Sequence, residues 1–484
     1  MPGTPDAIVV GAGPNGLAAA VTLAAAGLSV EVIEAAATPG GGCRTAELTV
    51  PGLLHDVCSA AHPLAVASPF FRSFDLAAEG VELLAPPVAY GQPIDGDRVV
   101  VLRGSVERTA AGLGPEGPAY QRLMGPLLRD VEGLVDDLLG PLLRVPPSPL
   151  PLLPFALRAL PTASRTFARA DGELIPALLS GAAAHSMQPF SSLAAMPFGL
   201  LLTLLGHATG WPVVRGGSER LVDALVARLN RLGGSVTTGQ EVRSLDELPP
   251  ARAILLDVSP RQLRAIAGDR LPARYARSLE RFRPGPGICK IDYALSGPVP
   301  WAATELREAG TVHLGGTWRE VAAAEAQVAA GEHPHRPYVL VVQPATADPA
   351  RVVDGMHSLW AYCHVPNGST VDMGACIDAQ LERFAPGFGD LVVARHTRTA
   401  VQQQEYDATC IGGDISGGAA SVWQTLFRPT PRIDPYATPV PDLFLCSAST
   451  PPGAGVHGMA GMHAARSALR RRFGIRELPE LSRR

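Results

Sequence analysis

The chain has 484 residues, 46% of them apolar and 18% charged, with a formal net charge of −4. At ~100–200 residues per domain, that length predicts two or three lobes around more than one core. The 45 acids and 41 bases are interspersed, leaving no basic stripe for nucleic acid, and the apolar fraction argues against disorder. Seven cysteines (43, 58, 289, 363, 376, 410 and 446) form no CxxC pair. That pattern speaks against a disulfide framework or a zinc ribbon and for a reducing, cytoplasmic compartment. No HxxxH pair or nucleophile elbow occurs, so no metal site is expected. The longest mostly apolar run, 193–205, is broken by Pro197 and falls short of the ~20 residues a span needs. The expectation is a soluble protein with at most a peripheral membrane contact.

In chain order, residues 7–34 read as one βαβ unit. An apolar strand at 7–10 meets a glycine turn at 11–16, an alanine-rich helix at 17–26 stops at Gly27, and 29–33 alternates as the next strand. Residues 141–163 hold seven prolines (141, 146, 147, 149, 151, 154 and 161) among leucines, a density that predicts no long helix. Such an apolar stretch suits a pocket lining, a cavity cap or a membrane contact. Residues 220–232 form an amphipathic helix stopped by Gly233 and Gly234. Strand patterns follow at 235–238, 241–244 and 253–258, predicting a return to the first sheet. Further strands are expected at 288–295 and 338–343, and a terminal helix over 458–473 with arginines near its end.

The sequence at 11–16 is GAGPNG, a G-x-G-x-x-G fingerprint in strand–turn–helix context. Gly11 makes the tight turn, Gly13 admits a pyrophosphate, and Gly16 lets helix and strand pack closely, with Pro14 and Asn15 between them. The helix N-terminus supplies N–H groups and partial positive charge for phosphates. Glu34, followed by Ala35, ends the second strand eighteen residues after Gly16, where an acid can hold ribose hydroxyls. The fingerprint alone does not separate NAD from FAD. A second glycine-rich stretch at 39–45 (PGGGCRT) follows at once and resembles the flavoprotein signature. Gly41 and Gly42 would let backbone lie beside a pyrophosphate, and Arg44 would neutralise phosphate or clamp the flavin side.

Near the other end, 443–465 reads as strand, glycine loop and helix start. Gly455, Val456, Gly458 and Met459 would then meet a flat ring at a helix N-terminus, where negative charge is stabilised. Together with His55-Asp56, the stretches 185–193 and 210–218, Gly413-Asp414-Ile415 and Phe427-Arg428-Pro429, these ends resemble the phytoene-desaturase-type flavoproteins. The resemblance is to their branch related to pyridine nucleotide-disulphide oxidoreductase domain-containing protein 2, within the monoamine-oxidase-like FAD superfamily. It covers nearly the whole chain. It implies an α/β fold with a Rossmann-type FAD-binding domain of discontinuous segments (1–75, 210–284 and 405–484) and a mixed α+β substrate domain (76–209 and 285–404). It also implies Val242 backbone against an adenine and Asp414 near the flavin. Where many amine oxidases carry an acid before the last helix, this chain has Ser447-Ala448-Ser449, so hydroxyl or backbone must serve there.

Lys290 is the only lysine among the 41 basic residues, in a strand similar to the one that aims a lysine at flavin N5 through a water. His457 in the last glycine loop is a candidate proton carrier, and His55, His62 and His185 match family positions near the pocket. The expected reaction is FAD-dependent removal of hydride from a C–H bond of a lipophilic small molecule, with electron acceptor and direction open. Amine oxidation is the first alternative. Its usual tyrosine at the start of the last helix is replaced here by Gly458, with Trp423 or Tyr406 as substitutes. A non-catalytic flavin-holding interaction protein is the second.

Overall fold

The computed structural model describes residues 4–144 and 149–482. The chain opens on β1 (Ala7–Val10), α1 (Pro14–Ala25) and β2 (Val30–Ile33). The hairpin β3 (Val88–Asp95) and β4 (Arg98–Arg103) follows, then helices α2 (Pro149–Ala159), α3 (Leu174–Ala184) and α4 (Ala195–Ala208). The chain returns through α5 (Glu219–Arg231), β5 (Ser235–Thr237) and β6 (Ala253–Leu256). It then runs through β7 (Gly287–Leu295), β8 (Ala309–Leu314), β9 (Val339–Val342), β10 (Met356–Val365) and β11 (Val392–Arg398). Strand β12 (Leu443–Leu445) and helix α6 (Met459–Ala468) close it.

A five-stranded sheet has the order β12-β6-β1-β2-β5 with every pair parallel, the signature of a Rossmann-like unit. Its central β1, Ala-Ile-Val-Val, is buried on both faces, as helix-covered parallel strands must be. The sequence order β1, β2, β5, β6, β12 shows that this sheet is completed by segments more than four hundred residues apart. The second sheet is mixed and eight-stranded, with the path β11-β7-β10-β9-β8-β3-β4 and the short strand Val352–Val353 beside β10. Helices α3 and α4 pack near β3 and β4, and α6 packs on α1. That last contact is close because a side chain at Gly461 would overlap the Asn15 carbonyl oxygen.

Two expectations are corrected. Residues 241–244 are not a strand. Arg243 N–H is taken by the Glu247 carboxylate (2.9 Å) and Asp246 N–H by the Ser244 hydroxyl (3.2 Å), so local side chains take donors a sheet would need. The proline-rich stretch does carry a helix, α2, of eleven residues. Pro149 and Pro151 fall in its first turn, where N–H groups have no intrahelical acceptor, and only Pro154 lies inside. Pro146 and Pro147 lie outside the described residues. On α2, Leu150, Leu153 and Leu157 are exposed at 85%, 64% and 62%, while Phe155 on the opposite face is buried. Among the described residues no helix is long and apolar enough to cross a membrane.

Candidate active site

A cavity of about 1350 Å³ lies between the C-terminal ends of the parallel strands and one face of the mixed sheet. That position is where open α/β sheets hold ligands. A typical small-molecule site occupies roughly 300–1,000 Å³, so this one has room for a dinucleotide and a second molecule. At its first end the wall is Gly11, Gly13, Pro14, Asn15, Glu34, Ala35, Gly41, Gly42 and Arg44. Gly11 has φ +101°, a conformation that favours glycine, and a Cβ there would lie 2.9 Å from the Asp257 carbonyl oxygen. Glu34 accepts the N–H groups of Ala12 (2.7 Å) and Ala36 (2.8 Å), fixing the turn on both sides. Arg44 donates to the Thr38 carbonyl (2.9 Å) and lies 3.5 Å from Glu34.

Asp257, just beyond β6, was not anticipated. Its carboxylate accepts Gly16 N–H at 2.8 Å, and a Cβ on Gly13 would come 2.9 Å from it. Burial pushes this carboxyl up to about 7; nearby Asp407 and Glu34 push the same way, and the Gly16 bond opposes them. Nothing in the fingerprint marks it. Only the pairing of β6 beside β1 brings it under the glycine loop.

Val242 lines the wall on the segment bonded to Glu34 through Gln240 N–H (2.9 Å), and Asp414, Ser447, Ser449, Gly455 and Val456 line it beyond the glycine loops. The Asp414 carboxylate accepts N–H bonds from Gly285 (2.7 Å), Ser416 (2.7 Å) and Gly418 (2.8 Å), pinning two loops together. Arg428 also lines the cavity, donating to Gly417 O at 2.9 Å, and its Nε has no partner among the described residues. Burial lowers its guanidinium to about 10, with Asp414 opposing. The sequence offered this arginine only as part of a family motif.

The far end is an apolar chamber built on the mixed sheet. Strand register sets two rows of side chains on one face. Asp292, Trp360, Val342 and Thr311 stand opposite one another across β7, β10, β9 and β8, and so do Lys290, Tyr362, Leu340 and His313. Trp360, Val342, Thr311, Tyr362 and Leu340 line the cavity, facing Phe198, Leu201 and Leu202 of α4 and Phe155 of α2. His185, just past α3, stands at one corner, its Nε2 3.1 Å from His313 Nε2. Burial holds both histidines down, His185 to about 3 and His313 well below its ordinary value. Thr311 Oγ1, Trp360 Nε1 and His313 Nδ1 are buried without a partner among the described residues.

Several candidates are placed differently from expectation. Lys290 is 1% exposed and pairs with Asp292, its Nζ 5.4 Å from the Trp360 ring centroid; it is not on the cavity wall. Burial lowers Lys290 and raises Asp292, each opposed by the partner's charge. His457 is fully buried and off the wall. Its Nδ1 accepts Met459 N–H (3.1 Å), so Nε2 carries the hydrogen toward Gly453 O (3.2 Å), and the ring fixes the loop. Gly458 and Met459 are also off the wall: Gly458 packs against Phe70 and Met459 sits in the core. Gly16 is behind the wall, where a side chain would overlap the Gly11 carbonyl oxygen, in keeping with its packing role. His62 lines the cavity, bonded to Ser218 (2.8 Å), whereas His55 is bonded to Thr49 (2.8 Å) and lies 3.7 Å from Asp292. Tyr406 is on the wall between Arg44 and Arg398; Trp423 is 65% exposed.

Residues 9–75 match the NAD(P)-binding Rossmann-like domain family. The chain is 24% identical to the pyridine nucleotide-disulfide oxidoreductase domain-containing protein 2 of Rattus norvegicus, over 96% of this chain and 93% of that protein. Among solved structures, an oxidoreductase from Methanosarcina mazei superposes with a TM-score of 0.61 at 14% identity, covering 96% of this chain and 99% of the other. Putrescine oxidase bound to putrescine superposes with a TM-score of 0.60 at 18% identity, covering 96% and 98%. The chain therefore carries an NAD(P)-binding Rossmann-like domain, is homologous along nearly its whole length to pyridine nucleotide-disulfide oxidoreductase domain-containing protein 2, and is built on a fold it shares with putrescine oxidase.

Proposed function

We propose that this chain is an FAD-dependent oxidoreductase that takes hydride from a C–H bond of a lipophilic small molecule. The observation that carries the reading is the single continuous cavity, with a glycine cradle at one end and an apolar chamber at the other. The residues present fit a dinucleotide. A Cβ on Gly41 would lie 3.3 Å from Gly13 Cα, so a side chain on either glycine loop would crowd the gap between them. The buried Asn15 Oδ1 lines the cavity without a partner among the described residues. On this reading segments 1–75, 210–284 and 405–484 hold FAD, and 76–209 and 285–404 hold the substrate. FAD, when bound, supplies the acceptor for a hydride equivalent.

The chain's own residues do the rest. Gly11, Gly13 and the α1 N-terminus receive phosphate, Glu34 holds the turn and the ribose, and Val242 backs the adenine. Asp414 and Arg428 fix the loops around the ring end. Trp360, Tyr362, Leu340 and Val342 form a floor that excludes water and holds an apolar substrate in place. The buried Lys290–Asp292 pair sets the height and charge beneath Trp360 rather than touching the reacting atoms. The exposed leucines of α2, whose other face reaches the cavity through Phe155, support a peripheral membrane contact that delivers such a substrate.

Amine oxidation is a second reading, favoured by the aromatic faces of Trp360 and Tyr362 on the chamber floor, although the two rings touch edge to face at 5.1 Å and leave no gap between them for an amine. Against it, the cation already over Trp360 is the protein's own Lys290. The test is an anaerobic screen of isoprenoid, acyl and amine compounds, read as bleaching of the flavin band. Purified protein that is colourless and takes up no FAD would overturn the proposal; bleaching by amines alone would move it to the second reading.

A further inference from the structure

The floor of the chamber carries buried polar groups that have no partner among the described residues, and one of them belongs to the ring beside His185. Thr311 and His313 are same-face neighbours on β8, and Trp360 stands one strand beyond Val342. Thr311 is 1% exposed and Trp360 4%, both line the cavity, and neither Thr311 Oγ1 nor Trp360 Nε1 has a partner among the described residues. Buried polar groups are rarely left so, and each one unpaired is costly.

The histidine pair adds a third group. His313 is fully buried, with Nδ1 unpartnered. An orphaned N–H is rarer than an under-used acceptor, so the favoured tautomer puts the hydrogen on His313 Nε2, donating to His185 Nε2. His185 must then carry its own hydrogen on Nδ1. No protein acceptor among the described residues is bonded to that atom, and the half-buried ring lines the cavity.

Resting on the reading of this chamber as the substrate end, we infer that the substrate carries an uncharged carbonyl-type oxygen on its lipophilic skeleton, received by Thr311 Oγ1–H and His185 Nδ1–H, with Trp360 Nε1–H as a further donor on the same floor. A pure hydrocarbon leaves all of these groups without partners. An ammonium, which only donates, meets the N–H groups of Trp360 and His185. A carbonyl oxygen accepts from them, and sites built to hydrogen-bond a ligand reject analogues that lack the group.

The experiment titrates the protein, with its bound cofactor, with 4-butylcyclohexanone, 4-butylcyclohexylamine and butylcyclohexane, following the tryptophan emission to which Trp211 and Trp360 contribute. The ketone is expected to bind at least roughly tenfold more tightly than either analogue, since a lost hydrogen bond leaves a buried group unpaired. Thr311→Val and His185→Phe should each weaken the ketone roughly fivefold while leaving butylcyclohexane within about twofold. Equal affinities, preference for the amine, failure of the ketone to bind, or equal loss of all three ligands in both variants would overturn the inference. The wild-type ranking decides the matter even if a variant fails to fold. Colourless protein that still prefers the ketone would overturn the flavin reading alone, and yellow protein with no preference would overturn this one alone.

Discussion

The two ends of the cavity are built by opposite means. At the glycine end, the wall is largely backbone and side chains matter chiefly by being absent: Gly11 and Gly13 would each bring a Cβ within 2.9 Å of Asp257. At the chamber end, backbone is spent on the sheet ladder, and the wall consists of side chains that register brings together from β10, β9 and β8. A backbone site tolerates no added volume. A side-chain site tolerates apolar exchange but not an orphaned charge. The two ends should therefore fail differently when mutated.

The largest effect is expected at the chamber. Lys290 and Asp292 are 1% exposed each, so Lys290→Met leaves a buried carboxylate with its near partner gone. Breaking such a pair from one side costs about 3–5 kcal/mol, whereas replacing both members is often close to neutral. Urea unfolding should show that loss in Lys290→Met and recovery of most of it in Lys290→Met/Asp292→Leu. A single variant within about 1 kcal/mol of wild type would mean the pair is not held as the contacts imply.

At the glycine end the matching test is Gly16→Ala, a single methyl group. Its Cβ would overlap the Gly11 carbonyl oxygen, and overpacking of this kind costs about 1–3 kcal/mol. The variant should also lose FAD on gel filtration, because α1 cannot move without moving the phosphate loop. Full retention of FAD would separate helix packing from phosphate binding and weaken the contrast between the ends.

The same contrast explains what the sequence could disclose. The βαβ unit, Glu34, and the cavity-lining Gly41, Gly42 and Arg44 were legible because their order along the chain is their order in space. Strands at 253–256, 287–295 and 339–342 were legible as apolar runs. Asp257, Thr311 and Trp360 were not, since their meaning comes from pairing between strands far apart in sequence. His457, Gly458 and Met459 misled for a related reason: a glycine-rich loop before a helix looks alike whether it faces a ligand or, as here beyond Val456, turns to pack on Phe70. Lys290 was conspicuous by its rarity, but Asp292, two residues on and on the same face, is what claims it.

A smaller effect is expected at Glu34, where the two ends of the argument meet in one carboxylate. It accepts the Ala12 and Ala36 N–H groups of its own chain. Glu34→Ala should weaken FAD binding by about tenfold, the loss of a charge-assisted hydrogen bond, and lower stability by about 1–3 kcal/mol, because the Ala12 and Ala36 N–H groups lose their acceptor. Glu34→Gln should recover part of the affinity, since one oxygen still accepts. Unaltered affinity in Glu34→Ala would leave this carboxylate with the turn alone.

The subtlest test is the pH dependence set by Asp257. Its carboxyl, pushed up to about 7 from an ordinary 3.8, holds its proton more tightly in the folded state than in the unfolded chain. A group raised in this way contributes stability fully present below about pH 4, which is then lost as pH rises through 7. Asp257→Asn keeps an acceptor for Gly16 N–H but cannot ionise, so it should abolish that slope. Urea midpoints of the cofactor-free protein should fall from pH 5 to pH 8 in wild type and fall less in the variant, by on the order of 1 kcal/mol, since a carboxylate that borders the cavity is partly screened. Because the ionised form places negative charge beneath the phosphate loop, FAD retention should weaken over the same range in wild type and not in Asp257→Asn. Parallel profiles for the two proteins would show that this carboxyl ionises at its ordinary pH, and the glycine end would then owe its behaviour to backbone alone.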